Sequence, residues 1–248
     1  MNSAKNSKKR KRKPLFYNLC HDFVKVTGAI PVLLWLRPKL YRPYGTRTPR
    51  GAVMISANHN SMLDPVNLFL AFPKRRIHCL ATKELYNTKV TSKFFELMHC
   101  IKVDRENFSV SAVHDVIDRL NDGRAVAIFP EGKLNYDDDT PFLTFKSGAV
   151  MMAHRAGAPI LPIYIVKRTR KYQRQRIVIG KPIDLREILG ERPSLDALSH
   201  ASEIVREKEI ELKDYFESLP IYQKMVKAGN KLKQKESKKE SKTESKVQ

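Results

Sequence analysis

Strand-like and helix-like runs alternate through the middle of this chain, and that alternation restricts its fold more than any other feature. Apolar runs at 51–57, 77–82, 100–103, 125–129, 160–166 and 176–180 have the length and composition of buried strands. Helical patterning occupies 65–72, 91–98, 109–121 and 147–156, and 184–217 holds one or two helices more. In 109–121 the stripe Val110, Val113, Ile117 and Leu120 gives a helix one apolar face, and Gly123 stops it. A chain of this order is expected to be α/β, with a mostly parallel central sheet flanked by helices. Its 248 residues suffice for one such domain with a real core. There is neither a GxGxxG nor a P-loop, which disfavours both kinds of nucleotide fold.

In open α/β sheets chemistry is built in the turns that leave the carboxyl ends of strands. Asn58-His59-Asn60-Ser61-Met62-Leu63-Asp64 occupies such a turn, after the run 51–57 and before Pro65, which opens a helix. A histidine oriented by a carboxylate removes a proton from an alcohol near neutral pH, which suits acyl transfer to a hydroxyl. The plainer alternative makes Asp64 a helix N-cap and His59 a hydrogen-bonded loop residue. Residues five apart lie about 140° apart around a continuous helix. The two converge only if the loop curls back, with Asp64 at or near the helix start.

Three more segments fall at strand ends. Arg105, in Val103-Asp104-Arg105, is suited to paired hydrogen bonds with a phosphate, or to a surface pair with Asp104. Phe129-Pro130-Glu131-Gly132-Lys133 offers a tight turn at Gly132, positive charge at Lys133, and at Glu131 either a hydroxyl contact or a turn start. Phe145-Lys146-Ser147-Gly148 opens a helix, where free N–H groups favour an anion and Lys146 adds charge. Each signal is weak alone; their shared placement raises them.

Formal net charge is +21, of which residues 1–13 carry +7 and residues 224–248 carry +6, leaving +8 between. Both ends, 1–13 and 223–248, read as solvated basic tails, the second with Glu-Ser-Lys recurring at 236, 240 and 244. Such tails suit an anionic membrane or nucleic acid alike. The spread of charge and the lack of a helix-turn-helix or RNP-like block argue against specific nucleic-acid binding. No stretch reaches 18 uninterrupted apolar residues. The segment 14–45 is expected to supply an N-terminal membrane-interface helix, anchored by Trp35 and flanking basic residues, or else a core-packing helix. The domain that carries the strand-end segments is then expected over 46–222. Cys20, Cys79 and Cys100 form no CxxC, which disfavours disulfides and zinc, and no histidine has a partner at metal-ligand spacing.

Taken in order, the four segments resemble the four blocks of the glycerolipid acyltransferase superfamily, in particular the 1-acyl-sn-glycerol-3-phosphate (lysophosphatidic acid) acyltransferases. Asn58-His59 with Asp64 is similar to the NHxxxxD block, Val103-Asp104-Arg105 to the second, Phe129-Pro130-Glu131-Gly132 to the third, and Pro159-Ile160-Leu161-Pro162 to the fourth. The third block departs from the usual Thr-Arg-Ser continuation: here it reads Lys133-Leu134-Asn135. Superfamily members acylating glycerol-3-phosphate or lyso-aminolipids share the same plan. The resemblance implies His59 as general base and Asp64 as its orienting carboxylate. It implies Arg105, Lys133 and Lys146 around a phosphate, with Glu131 and Gly132 shaping the acceptor site. The implied partners are lysophosphatidic acid, a thioester donor (acyl-CoA or acyl carrier protein) and an anionic membrane surface, with no cofactor. The implied location is the cytoplasmic face of the cell membrane, peripheral or monotopic.

Overall fold

A computed structural model describes residues 38–104, 109–137, 140–168 and 173–231. The basic tail 1–13, the apolar stretch 15–36 and Arg105 lie outside the described residues. Seven strands form one sheet: β1 (Lys39–Tyr41), β2 (Val53–Ala57), β3 (Ile77–Thr82), β4 (Ile101–Val103), β5 (Ala125–Ile128), β6 (Ile160–Ile165) and β7 (Arg176–Ile179). The helices are α1 (Asp64–Ala71), α2 (Lys89–Leu97), α3 (Val110–Asn121), α4 (Gly148–Arg155) and α5 (Leu195–Ser218), with short 3₁₀ turns at Lys83–Tyr86 and Leu185–Glu187.

The strand order is β1-β7-β6-β2-β5-β3-β4. The five strands from β6 to β4 run parallel, β7 is antiparallel to β6, and β1 follows β7. The parallel expectation therefore holds for the centre, while one edge is reversed. β1 went unforeseen and lies inside the segment 14–45; it is only three residues long and largely exposed. Tyr41 ties it to the core by an edge-on contact with Phe216, at 5.4 Å between ring centroids.

Successive residues of a strand face opposite sides of a sheet. Met54, Val126, Ile160 and Val178 accordingly pack under α3, α4 and α5, while Val53, Ile55, Ala127 and Ile163 pack on α1. All five residues of β2 are buried, as expected for a central strand covered on both faces. Side chains cap the helices where the sequence supplies them: Ser109 accepts from the Ala112 amide, and Ser194 from that of Ala197. Residues 220–231 are also helical and Met225 is buried, so the start of the expected lysine-rich tail packs on the core.

Register places the site. Ser56 lies opposite Ile128, Ala57 opposite Ile163, and Thr82 opposite Val103. The residues leaving β2, β5 and β6 therefore emerge side by side, as do those leaving β3 and β4. Among the described residues no helix is long and apolar enough to cross a membrane.

Two tests follow from this packing. A Cβ at Gly180 would lie 2.9 Å from Pro162 Cγ and 3.0 Å from its carbonyl oxygen. Gly180→Ala is therefore expected to lower stability by about 1–3 kcal/mol in urea unfolding. His78 is fully buried, and its Nδ1–H donates to the His99 carbonyl at 2.9 Å. Burial above all, then the charge of Arg119, pushes its pKa down to about 3. The unfolded chain takes up that proton below about pH 6.5 and the native chain does not until about pH 3. The share of stability carried by neutral His78 is thus intact above pH 6.5 and declines as pH falls. Replacing His78 by Gln is expected to flatten the fall in unfolding free energy by up to about 1.4 kcal/mol per pH unit between pH 6 and 4.

Candidate active site

The turn after β2 curls around one carboxylate oxygen. Asp64 Oδ2 lies 3.0 Å from His59 Nδ1 and accepts the amides of Asn60 and Ser61, each at 2.7 Å. Asp64 is the first residue of α1, with Pro65 behind it and Leu63 in the cap position without a capping side chain. The N-cap reading is thus corrected: the carboxylate reaches back into the turn instead of forward to helix amides. His59 and Asp64 are both buried, at 8% and 1% exposure. With Nδ1 turned to the carboxylate, Nε2 is the basic nitrogen. The ring stacks on Phe129 from the β5 turn, with centroids 4.0 Å apart and planes 15° from parallel.

The backbone on either side of the ring is fixed from two directions. Asn58 pairs both ways with Ile165 at the end of β6, its Nδ2 donating to the carbonyl at 3.1 Å and its Oδ1 accepting the amide at 2.7 Å. Asn60 Nδ2 donates to the same carbonyl at 2.9 Å. From the β5 turn, Glu131 Oε1 accepts the His59 amide at 3.1 Å, and the Asn135 amide donates to the His59 carbonyl at 2.7 Å. The second oxygen of Glu131 accepts from the Leu143 amide at 3.3 Å. Each oxygen of Glu131 thus accepts a backbone amide, and the side chain braces the turn. Burial pushes its pKa up, opposed by the amides of His59 and Leu143.

Gly132 turns with φ of +71°, and the Lys146 side chain lies against it: a Cβ there would be 3.1 Å from Cε and Nζ. The Lys146 amide donates to the Pro130 carbonyl at 3.0 Å, which joins the start of α4 to the β5 turn. Lys133 and Lys146 are both exposed. The structure thus brings together His59, Asp64, Glu131, Gly132 and Lys146, with Lys133 next along the same turn.

Sequence reasoning passed over several members. Asn60 and Ser61, given no role, supply the amides that hold Asp64. Lys83 pairs with Asp104 at 2.6 Å across the ends of β3 and β4. Partial burial lowers the pKa of Arg168, just past β6, and the nearby charge of Asp64 opposes that. Asparagines on both sides of a histidine were the one available signal, because that side chain can pair with a backbone amide and carbonyl together. Among the described residues no group of His, Cys, Asp or Glu could hold a metal ion.

A buried carboxylate orienting a histidine at the carboxyl end of a parallel sheet is the equipment of an enzyme that moves a proton. The chain belongs to the acyltransferase family, whose model matches residues 41–166 and so encloses His59, Asp64, Glu131, Gly132, Lys133 and Lys146. It is 29% identical over 199 residues to the 1-acyl-sn-glycerol-3-phosphate acyltransferase of Bacillus subtilis, covering 77% of this chain and 97% of that protein. To a probable 1-acyl-sn-glycerol-3-phosphate acyltransferase of Mycoplasma genitalium it is 33% identical over 151 residues, 58% of this chain and 55% of that one. A crystal structure of the 1-acyl-sn-glycerophosphate (LPA) acyltransferase of Thermotoga maritima shares the fold, with a TM-score of 0.60 at 20% identity over 85% of this chain and 86% of that one. The enzyme is an acyltransferase.

Asp64→Asn leaves the size of the side chain unchanged while removing the charge and presenting an NH₂ where donors now point. The expected loss in kcat is about 10²–10⁴-fold, with KM within a few fold, in steady-state assays of acyl transfer.

Proposed function

We propose that this enzyme moves an acyl chain from a thioester, on coenzyme A or acyl carrier protein, to the sn-2 hydroxyl of 1-acyl-sn-glycerol-3-phosphate. The product is phosphatidic acid. The observation that carries this reading is the 3.0 Å contact of His59 Nδ1 with buried Asp64, in a chain 29% identical to a protein of that name. Nε2 of His59 takes the hydroxyl proton as the oxygen attacks the thioester carbonyl. Asp64 stabilises the imidazolium that forms. The tetrahedral intermediate collapses, the C–S bond breaks, and the same proton passes to the departing sulfur. No acyl-enzyme is needed, and the net change is an ester and a thiol from an alcohol and a thioester.

General base catalysis accounts for about 10²–10⁴-fold of the rate. Oxyanion donors supply about 10²–10³-fold each, and the braced turn supplies positioning. Lys133 and Lys146 hold the acceptor's phosphate, joined by Arg105 from the second block. Arg168 adds positive charge at the same end of the sheet. The net charge of +21 favours peripheral or monotopic residence on an anionic leaflet, at about 1 kcal/mol per basic residue near the surface. The cytoplasmic face of the cell membrane is the proposed location.

Lys133 supports a second acceptor class. An ammonium there is a point charge without the planar two-point grip of a guanidinium. Glycerol-3-phosphate and lyso-aminolipids are therefore the alternatives to lysophosphatidic acid. Thiol release from an acyl thioester, followed with each acceptor, decides among them. Lysophosphatidic acid is expected to stimulate release most, and His59→Ala to lower that release at least about 100-fold with the fold intact. Undiminished release in the variant would remove His59 from the mechanism.

A further inference from the structure

The inward stripe of α5 runs Ala201, Val205, Glu209, Leu212, Phe216. Four of these are the apolar residues a core position calls for; Glu209 is 0% exposed among them. Its Oε1 lies 2.6 Å from Ser56 Oγ, and its Oε2 is sealed from solvent. Ser56 is itself the polar exception in β2, where its neighbours are Val53, Met54, Ile55 and Ala57. Two polar side chains thus meet inside an otherwise apolar layer, three residues before His59. A leucine or methionine at 209 would fill such a space without the desolvation cost of a carboxyl. Local rules of this kind are broken mainly where function compensates.

We propose that Glu209 is a positioning residue for acyl transfer: reaching from α5, it bonds Ser56 and fixes the end of β2, so that the turn beyond delivers His59 to Asp64 in productive geometry. An apolar contact tolerates sliding between helix and strand, whereas a 2.6 Å hydrogen bond is directional. The tie continues through Asn58, bonded on its other side to β6, into the His59 peptide. Burial pushes the Glu209 pKa well above the usual carboxylate range; the Ser56 bond opposes this, the charge of Glu131 adds to the rise, and the Asn58 backbone opposes it again. Glu131 thus holds the His59 amide, and Glu209 holds the strand that leads to it.

This inference rests on His59 being the base, so the test reads both turnover and the His59–Asp64 contact itself. Glu209→Met, Glu209→Gln and Ser56→Ala are made in the full chain. Thiol release gives kcat and KM, and the downfield proton resonance of the His59 Nδ1–H, assigned by its loss in His59→Ala, reports the contact. Glu209→Met is expected to lower kcat about 10–100-fold with KM within about threefold, and to shift the resonance. Glu209→Gln, which still accepts from Ser56, recovers most of that loss. Ser56→Ala moves kcat and the resonance in the same direction as Glu209→Met but by less, because the Asn58 backbone still meets the carboxyl, and combining the two costs no more than Glu209→Met alone. Wild-type kcat and resonance in Glu209→Met would reduce Glu209 to a space filler. A Gln variant as slow as the Met variant would also overturn the proposal, by showing that an ionised group is required. Should Glu209→Met fail to fold, Ser56→Ala makes the same comparison. Should the wild type turn over no acceptor, the proposed function fails, and the resonance alone decides whether Glu209 positions His59.

Discussion

Asp64 Oδ2 gathers the His59 ring and the amides of Asn60 and Ser61, and the rest of the site depends on that convergence. Three donors on one buried oxygen offset the cost of removing a carboxylate from water. They also solve a geometric problem. Residues five apart point away from each other on a helix, so the chain must reverse between them. The amides of 60 and 61 make the reversal, and α1 starts as soon as it is complete. Because Asp64 is the first helical residue, its charge sits at the positive end of the helix dipole.

A turn held at one point still rocks, and here the surroundings remove that freedom. The parallel register sets the ends of β5 and β6 on either side of β2. One side offers the Ile165 peptide to Asn58 and Asn60, and the other offers Glu131 and the Asn135 amide to the backbone of His59 itself. Both backbone polar groups of the histidine are therefore spent before any substrate arrives, and Phe129 lies flat against its ring. Preorganisation of this kind limits reorganisation during the reaction. Its cost is a buried Glu131 whose charge burial opposes.

The sheet was legible in the sequence because central parallel strands are buried on both faces and leave unbroken apolar runs. All six expected strands exist, to within one or two residues at their ends. What those runs do not encode is direction. β7 is as apolar as its neighbours, and only the link from β6, at 166–175 too short for a crossover helix, distinguishes it. β1 was illegible because three half-exposed residues, Lys39, Leu40 and Tyr41, leave no pattern above background. At the site, His59 and Asp64 were legible as a pair, and the structure adds the means of their convergence. The place of Glu131 beside His59 was legible but its bonds were not, since its partners are amides, and amides are the same at every position in a sequence. Lys83 and Arg168 follow strands as the other candidates do, yet lysine and arginine are too common in so basic a chain for placement alone to single them out.

The change from a guanidinium to Lys133 alters how the proposed acceptor is recognised more than whether it is bound. A fork of donors fixes the orientation of a phosphate, whereas exposed ammoniums on flexible stems fix its charge and little else. Orientation must then come from elsewhere. Lys146 is the better placed of the two lysines, because its stem lies along Gly132 and its backbone is bonded to Pro130, so its ammonium starts from a defined position. Gly132 makes that possible: any side chain there would meet the lysine at 3.1 Å and would also have to adopt a φ of +71°. The glycine of the third block and the lysine before α4 are therefore one device, in which a missing Cβ seats a charge beside the turn that Glu131 braces.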